Sequence, residues 1–307
     1  MKKIESFNIT EMYQEVVETL AQSHVKYFED TMSEKVLEEQ YETDEFISHQ
    51  NQLWGKAFIA YESMYYLAIE SAILYGQHLE KKNQNTDSER ANQYPIKFIV
   101  LRELHGRACQ IYLEILCLIK NGFADGAFAR WRSMYELDVT SSFILENEGN
   151  VAKAYYESMN KDNNRNDWAK QAKCFQTKEY KNKIITFADL QKHTCFSINP
   201  IWKQQYELGN IIVHASPQGT FKRLANGITD KNFIPVGRSN YGVNIPAENS
   251  VISLARMTIG FLSIYPYEEG LIQMKCISLW IDIVRKYLTQ VDELFSNNGE
   301  VEINFRS

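Results

Sequence analysis

The chain has 307 residues, of which 44% are hydrophobic and 23% are charged, with a formal net charge of −6 and a pI near 5.6. This balance is typical of a soluble globular protein, and it excludes a largely disordered chain. The acidic charge excludes a global basic surface for nucleic acid, so any such binding would need a local cluster of Arg and Lys.

The five cysteines have no C-x-x-C spacing, which favours free thiols in a reducing compartment over a disulfide framework. The N-terminus lacks the apolar core of a signal peptide, and no stretch approaches the ~18 apolar residues of a membrane span. Zinc-like His and Cys spacings and phosphate-binding loop motifs are also missing. We therefore expect a cytoplasmic bacterial-type protein without a membrane span, a metal or a cofactor.

Helical periodicity dominates the first 80 residues. Apolar residues recur at three- and four-residue steps from residue 10 to about 40, which predicts one amphipathic helix or a broken pair. Residues 43–45, Thr-Asp-Glu, offer caps for a second helix over residues 46–79. This second helix carries an aromatic stripe of Trp54, Tyr61, Tyr65 and Tyr66. Such stripes more often belong to a protein core than to a platform for stacking a ligand. The polar stretch 81–93 predicts a loop.

The centre of the chain predicts a helical hairpin. One helix is expected over residues 95–120, where Asn121-Gly122 ends it with a left-handed cap, and the next over residues 124–145. The short connection predicts antiparallel packing of the two helices. Further helices are expected at these positions: 151–159, 168–187, 201–213, 248–264 and 268–294. A turn is expected at residues 217–219.

The predicted fold class is an all-α, multi-helix bundle with a small β-hairpin or irregular insertion near residues 230–245. The core is expected from residues 95–145, 201–213 and 248–264, with the N-terminal helices packed outside or used for dimerisation. The predicted organisation has four parts: an N-terminal helical region at 1–80, a polar loop at 81–93, a bundle core domain at 94–296 and a tail at 297–307.

Charged residues on the inward faces of the hairpin form the first candidate site. Arg107 and Glu114 share one apolar stripe, and Arg130 lies on the stripe of the following helix. Arg132 and Glu136 are spaced for an i,i+4 pair. A buried arginine needs a carboxylate, so the cluster is either a structural ion-pair network or a network that also lines a ligand cavity.

The second candidate is the end of the helix over residues 201–213. His214 follows Asn210 by four residues, so both project from one face. An imidazole at a helix C-terminus has its charged form favoured and could act as a general acid or base. The alternative is a core or capping histidine bonded to a backbone carbonyl.

The turn at residues 122–127, the run Ala-Arg-Trp-Arg-Ser-Met-Tyr-Glu at 129–136 and the later Val-His-Ala-Ser at 213–216 resemble an uncharacterised bacterial family, domain of unknown function 5677. The resemblance covers roughly residues 95–260. It implies a helical fold and brings no established reaction.

A more distant similarity is to HEPN domains, helical bundles of bacterial toxin and phage-defence proteins in which an Arg and a following His cleave RNA. Asn210 and His214 resemble the later part of that motif, while residues 207–209 are Glu-Leu-Gly. The motif's arginine is therefore missing from this helix, and Arg130 or Arg107 from another helix would have to take its place. The similarity implies a metal-independent ribonuclease with RNA as substrate and a homodimer as assembly, with His214, Arg130 and Asn210 as catalytic residues. The alternative is a non-catalytic sensor, ligand-binding or assembly module.

Overall fold

A computed structural model describes residues 11–84, 95–160, 164–195, 200–214, 217–221, 223–225 and 236–297. Within these ranges the chain forms nine α-helices and no β-strand, so the predicted all-α, multi-helix class is confirmed. The helices are α1 Glu11–Gln84, α2 Ile96–Lys120, α3 Ala124–Glu146, α4 Gly149–Glu157, α5 Phe187–Lys192, α6 Pro200–Val213, α7 Pro217–Phe221, α8 Asn244–Leu262 and α9 Glu268–Asn297. The chain divides into two compact units, Met1–His49 and Gln50–Ser307.

The first unit contains the first part of α1, residues 11–49. This stretch holds neither Gly nor Pro, so no residue in it breaks the helix. The predicted break at residues 43–45 is wrong, because α1 continues through Thr43 and Asp44 without interruption. Nearly all side chains in this stretch are exposed, including the large apolar ones.

The core of the second unit lies where α2, α3 and α8 pack against one another, with α9 against α8. Residues 50–84 of α1 contribute fully buried side chains to this core, among them Trp54 and Tyr61. The Tyr61 ring stacks on Tyr112 of α2 at 4.0 Å, and its hydroxyl shares a 2.8 Å hydrogen bond with Ser250 of α8. The expectation that the N-terminal helices pack outside the core is therefore wrong for residues 50–84.

The aromatic stripe of α1 belongs to the core for Trp54 and Tyr61, while Tyr66 is exposed. Residues 81–84 of the predicted loop belong to α1, and the rest of that loop lies outside the described residues. The predicted helices over 95–120 and 124–145 match α2 and α3 closely. Within the second unit, α4 packs on α2, whereas α5 and α6 pack on α3.

The helix predicted over residues 168–187 is wrong. Two short 3-10 turns, Asp167–Gln171 and Lys173–Phe175, occupy its start, and α5 begins only at Phe187. Thr186 explains the late start, because its hydroxyl accepts from the Asp189 N–H at 3.2 Å while Asp189 accepts from the Thr186 N–H at 2.9 Å. Such a capping box fixes a helix N-terminus at that point. The turn expected at 217–219 is the one-turn helix α7.

Residues 236–243, the described part of the predicted insertion that precedes α8, form no strand. This part is irregular, with Gly242 at φ 76, where a Cβ would lie 2.4 Å from the Leu224 carbonyl oxygen. Residues 226–235, the other half of the expected hairpin, lie outside the described residues. No helix in the described ranges has the length and apolar character needed to cross a bilayer.

Candidate functional site

The turn between α2 and α3 fixes the register of the hairpin. Gly122 takes the left-handed backbone conformation, φ 75, that the sequence predicts for a helix cap. Arg238 donates to the Asn121 carbonyl oxygen at 3.0 Å, and the Ser239 N–H donates to the Gly122 carbonyl oxygen at 3.1 Å. Residues outside the hairpin thus hold the turn in place, and the antiparallel helices bring Arg130 opposite Glu114.

Arg130 and Glu114 form the predicted ion pair across the hairpin, with the Arg130 Nε donating to Glu114 Oε2. The hydrogen bond from Arg130 is the main reason that the pKa of Glu114 lies below its ordinary value. The side chains are 31% and 39% exposed, so the pair lies at the edge of the core and the expectation of a buried pair is wrong. Arg107 is exposed, so its expected inward position is wrong. Its charge also lowers the pKa of Glu114, but it makes no ion pair within 4.0 Å in the described part of the chain.

A second cluster of polar side chains surrounds Glu136 and joins α3 to α6. Glu136 forms an ion pair with Arg132 at 3.1 Å, and it accepts from Arg165 at 2.7 Å and from the Tyr206 hydroxyl at 3.0 Å. Arg132 also donates through Nε to the side-chain oxygen of Asn210. We call these five residues the Glu136 cluster. Of the predicted residues, Arg132, Glu136 and Asn210 therefore meet, and the arginine beside Asn210 is Arg132 rather than Arg130 or Arg107.

His214 follows the last residue of α6 and is exposed. Its backbone N–H donates to the Asn210 carbonyl oxygen at 3.1 Å, which continues the helical pattern. Among the described residues its ring makes no hydrogen bond or ion pair, so the structure does not bring the imidazole into the Glu136 cluster.

A cavity of about 630 Å³ opens between α2, α3 and α4. We call it the α2–α4 cavity. Its walls combine apolar side chains, three guanidinium groups and several hydroxyls. The α2 wall consists of Ile99, Val100, Glu103, Leu104, Arg107 and Ile111; the α3 wall of Arg130, Ser133, Glu136, Leu137 and Thr140; and the remainder of Tyr155, Tyr156, Ser158, Met159, Arg165, Asn166 and Trp168.

The charges in the α2–α4 cavity are unequally neutralised. The lining holds three arginines and two glutamates, hence one net positive charge in a chain whose total is −6. Arg130 is paired with Glu114, and Arg165 with Glu136. Arg107 is the lining arginine with no carboxylate within 4.0 Å, so far as the described residues show. The lining therefore offers to an anion an exposed guanidinium that is in no ion pair among the described residues.

Tyr155 and Trp168 form an aromatic wall of the same cavity, edge to face with 5.0 Å between ring centroids. Burial raises the pKa of Tyr155 above its ordinary value, although the charges of Arg107 and Arg165 act in the opposite direction. The phenol is therefore neutral at physiological pH, and it can act as a hydrogen-bond donor.

Sequence reasoning missed Asp138 of α3, whose carboxyl group is buried. It is 1% exposed and accepts from Arg256 of α8 at 3.2 Å, and Arg256 also contacts the Cys195 sulfur at 2.9 Å. Burial raises the pKa of Asp138 to about 7, with the Arg256 charge opposing the shift. A signal was present in the spacing: Asp138 follows the apolar Met134 by four residues, and Met134 follows Arg130 by four, so all three lie near one face of the helix.

Part of the chain is similar to a known protein family. Residues 98–207 match the model of the Family of unknown function (DUF5677). The predicted resemblance to DUF5677 is confirmed. The matched DUF5677 segment is a little over a third of the chain and runs from α2 into α6. No curated protein and no solved structure matches the chain, and the similarity to HEPN domains is not shown.

Every residue that lines the α2–α4 cavity lies within the DUF5677 segment. Asp138 and four members of the Glu136 cluster also lie within it. Asn210, His214 and Arg256 lie beyond its end. The cavity is thus built wholly from the matched segment, whereas the predicted Asn210–His214 site is not.

Proposed function

We propose that the DUF5677 segment is a ligand-binding module whose α2–α4 cavity takes a small organic anion with an apolar body. The observation that supports this most directly is Arg107, an exposed guanidinium in the cavity lining that has no carboxylate within 4.0 Å among the described residues. Small-molecule sites are typically cavities of about 300–1,000 Å³, and the volume of this cavity falls in that range.

The distribution of side chains supports the same class of ligand. Ile111, Leu137 and Trp168 provide apolar surface for a hydrocarbon or aromatic body. Arg107 can pair bidentately with a carboxylate, sulfonate or phosphate group, and the Ser133 hydroxyl can add a hydrogen bond. A ligand with both parts would use the apolar wall for affinity and the guanidinium for orientation.

The test uses anilinonaphthalene sulfonate, a fluorescent apolar anion, as the probe on the full chain. Arg107→Gln should weaken binding by about tenfold or more, because a hydrogen bond to a charged group contributes about 1.5–3 kcal/mol. Arg285→Gln removes an equal charge on α9, outside the cavity, and is the matched control.

A second variant, Ser133→Phe, fills the cavity without removing a charge and should also abolish binding if circular dichroism shows an intact fold. Equal probe affinity in the wild type, Arg107→Gln and Ser133→Phe would contradict the cavity as the binding site.

A second candidate function is a HEPN-like, RNA-cleaving effector of a bacterial toxin or phage-defence system. One observation favours it: Arg132 donates to Asn210, so an arginine from another helix reaches the residue one turn before the exposed His214. In this proposal His214 is the general acid or base, and Arg132 stabilises charge on the phosphate. A cytoplasmic location and a homodimer belong to the same proposal.

Expression of the wild type and His214→Ala at equal folded abundance tests this candidate. If His214 is catalytic, the wild type should degrade cellular RNA and arrest growth, whereas the variant should do neither. Identical RNA integrity in the two strains would rule out catalysis by His214.

A further inference from the structure

Residues 11–49 of α1 expose an unusual number of large apolar side chains. Eleven of them, between Tyr13 and Tyr41, are 49–68% exposed. An apolar face follows steps of four, four, three, four and four residues, which keeps it on one side of the helix: Val17, Ala21, Val25, Phe28, Met32 and Val36. Contiguous exposed apolar surface of this kind marks an interaction site more often than a solvated face.

The same stretch is strongly acidic. Residues 11–49 hold 11 Asp and Glu against 2 Lys, a net charge of −9. Glu18 and Glu29 each follow a residue of the apolar face by one position, so they flank that face. Residues 1–49 hold 12 acidic and 4 basic residues, whereas residues 50–307 hold 27 acidic and 29 basic residues. The excess negative charge is thus confined to this region.

We propose that residues 11–49 are a docking surface for a basic amphipathic α-helix of a partner protein. The apolar face supplies the seam into which a partner helix places its own apolar residues, as in helix-in-groove and coiled-coil recognition. The flanking carboxylates select Lys and Arg at the edges of that seam.

Charge argues against the other occupants. A second copy of this helix would set a net charge of −9 against another −9, and like charges across a helical seam are unfavourable. Nucleic acid and an anionic membrane surface are repelled for the same reason. A basic helix is the occupant that satisfies both the apolar face and the charge.

The test measures binding of the full chain to a synthetic Leu–Lys peptide patterned as an amphipathic helix. A scrambled peptide of the same composition and a Leu–Glu peptide of the same pattern are the controls. The patterned Leu–Lys peptide should bind at least about tenfold more tightly than either control. Its affinity should fall when salt rises from about 50 to about 500 mM, because exposed charges are screened.

Two double variants locate the surface. Phe28→Ser with Met32→Ser should weaken binding of the patterned Leu–Lys peptide by about tenfold or more, because both side chains would leave the seam. Leu271→Ser with Ile272→Ser removes two exposed apolar residues of α9 and should leave the affinity unchanged.

Equal binding of the scrambled peptide, or an equal loss in the α9 variant, would overturn the proposal. Sedimentation of the chain alone adds a further outcome. If the chain forms a dimer, and the double variant Phe28→Ser with Met32→Ser dissociates that dimer, the surface binds a second copy. That result would also overturn the proposal.

Discussion

The two parts of α1 have similar apolar periodicity and opposite environments. Residues 11–49 expose their large apolar side chains, whereas residues 50–84 bury Trp54, Phe58 and Tyr61 almost completely. The charge differs as sharply, with 11 acidic and 2 basic residues in the first part against 3 and 3 in the second. Apolar spacing alone therefore predicts a helix but not its burial, and charge density separates a core helix from an exposed one.

A matched pair of phenylalanines provides the strongest test of this difference. Phe58 is 2% exposed and Phe28 is 59% exposed on the same helix. Phe58→Ala should lower the free energy of unfolding by about 3–5 kcal/mol, as is usual when a buried aromatic ring is removed. Phe28→Ala should change it by no more than about 0.5 kcal/mol. Urea denaturation measures both values, and comparable losses would mean that the two parts of α1 are equally buried.

The helical hairpin was predictable because its signals are local. The apolar spacing of α2 and α3 and the Asn121-Gly122 cap lie within one continuous stretch, and the spacing of Arg132 and Glu136 predicted their ion pair. The helix expected over 168–187 failed because the Thr186 capping box starts α5 later than apolar spacing suggests.

The site was harder to predict than the hairpin, because its partners are far apart in sequence. Asp138 meets Arg256 across 118 residues, and Arg132 meets Asn210 across 78. The helical period shows which face a residue occupies, but the neighbouring helix depends on tertiary packing. The sequence therefore suggested Arg130 or Arg107 as the arginine beside Asn210, whereas Arg132 is the residue in contact.

A buried carboxyl group and an exposed one give a second test of the difference between the core and the exposed part of α1. The pKa of Asp138 is raised by burial from 3.8 to about 7, so the folded chain retains a proton that the unfolded chain releases between these values. The free energy of unfolding should therefore fall as pH rises from about 4 to about 7, by about 1.4 kcal/mol for each pH unit between the two pKa values, and then level off.

Asp138→Asn should remove this part of the pH profile. Asp30→Asn removes a carboxylate from the exposed part of α1 and is the matched control. Urea denaturation at several pH values gives the profiles. A profile for Asp138→Asn that is parallel to that of the wild type would show that burial of Asp138 does not govern this pH range.

Helix propensity gives the smallest test, and it distinguishes cooperative from local stability. Gly55 lies in the buried part of α1, and a Cβ there would meet nothing within 4 Å. Gly55→Ala should raise the free energy of unfolding by about 0.5–1 kcal/mol, because Ala loses less backbone entropy than Gly in a helix.

Ser33→Ala also improves helix propensity, but in the exposed part of the helix. It should raise the helical signal in circular dichroism while leaving the urea midpoint unchanged, because residues 11–49 bury little surface that could couple their order to the core. If Ser33→Ala shifts the midpoint as much as Gly55→Ala does, the two parts of α1 unfold as one cooperative unit. The exposed apolar face would then be stabilised by contacts within the folded chain, and it would not be free to receive a partner helix.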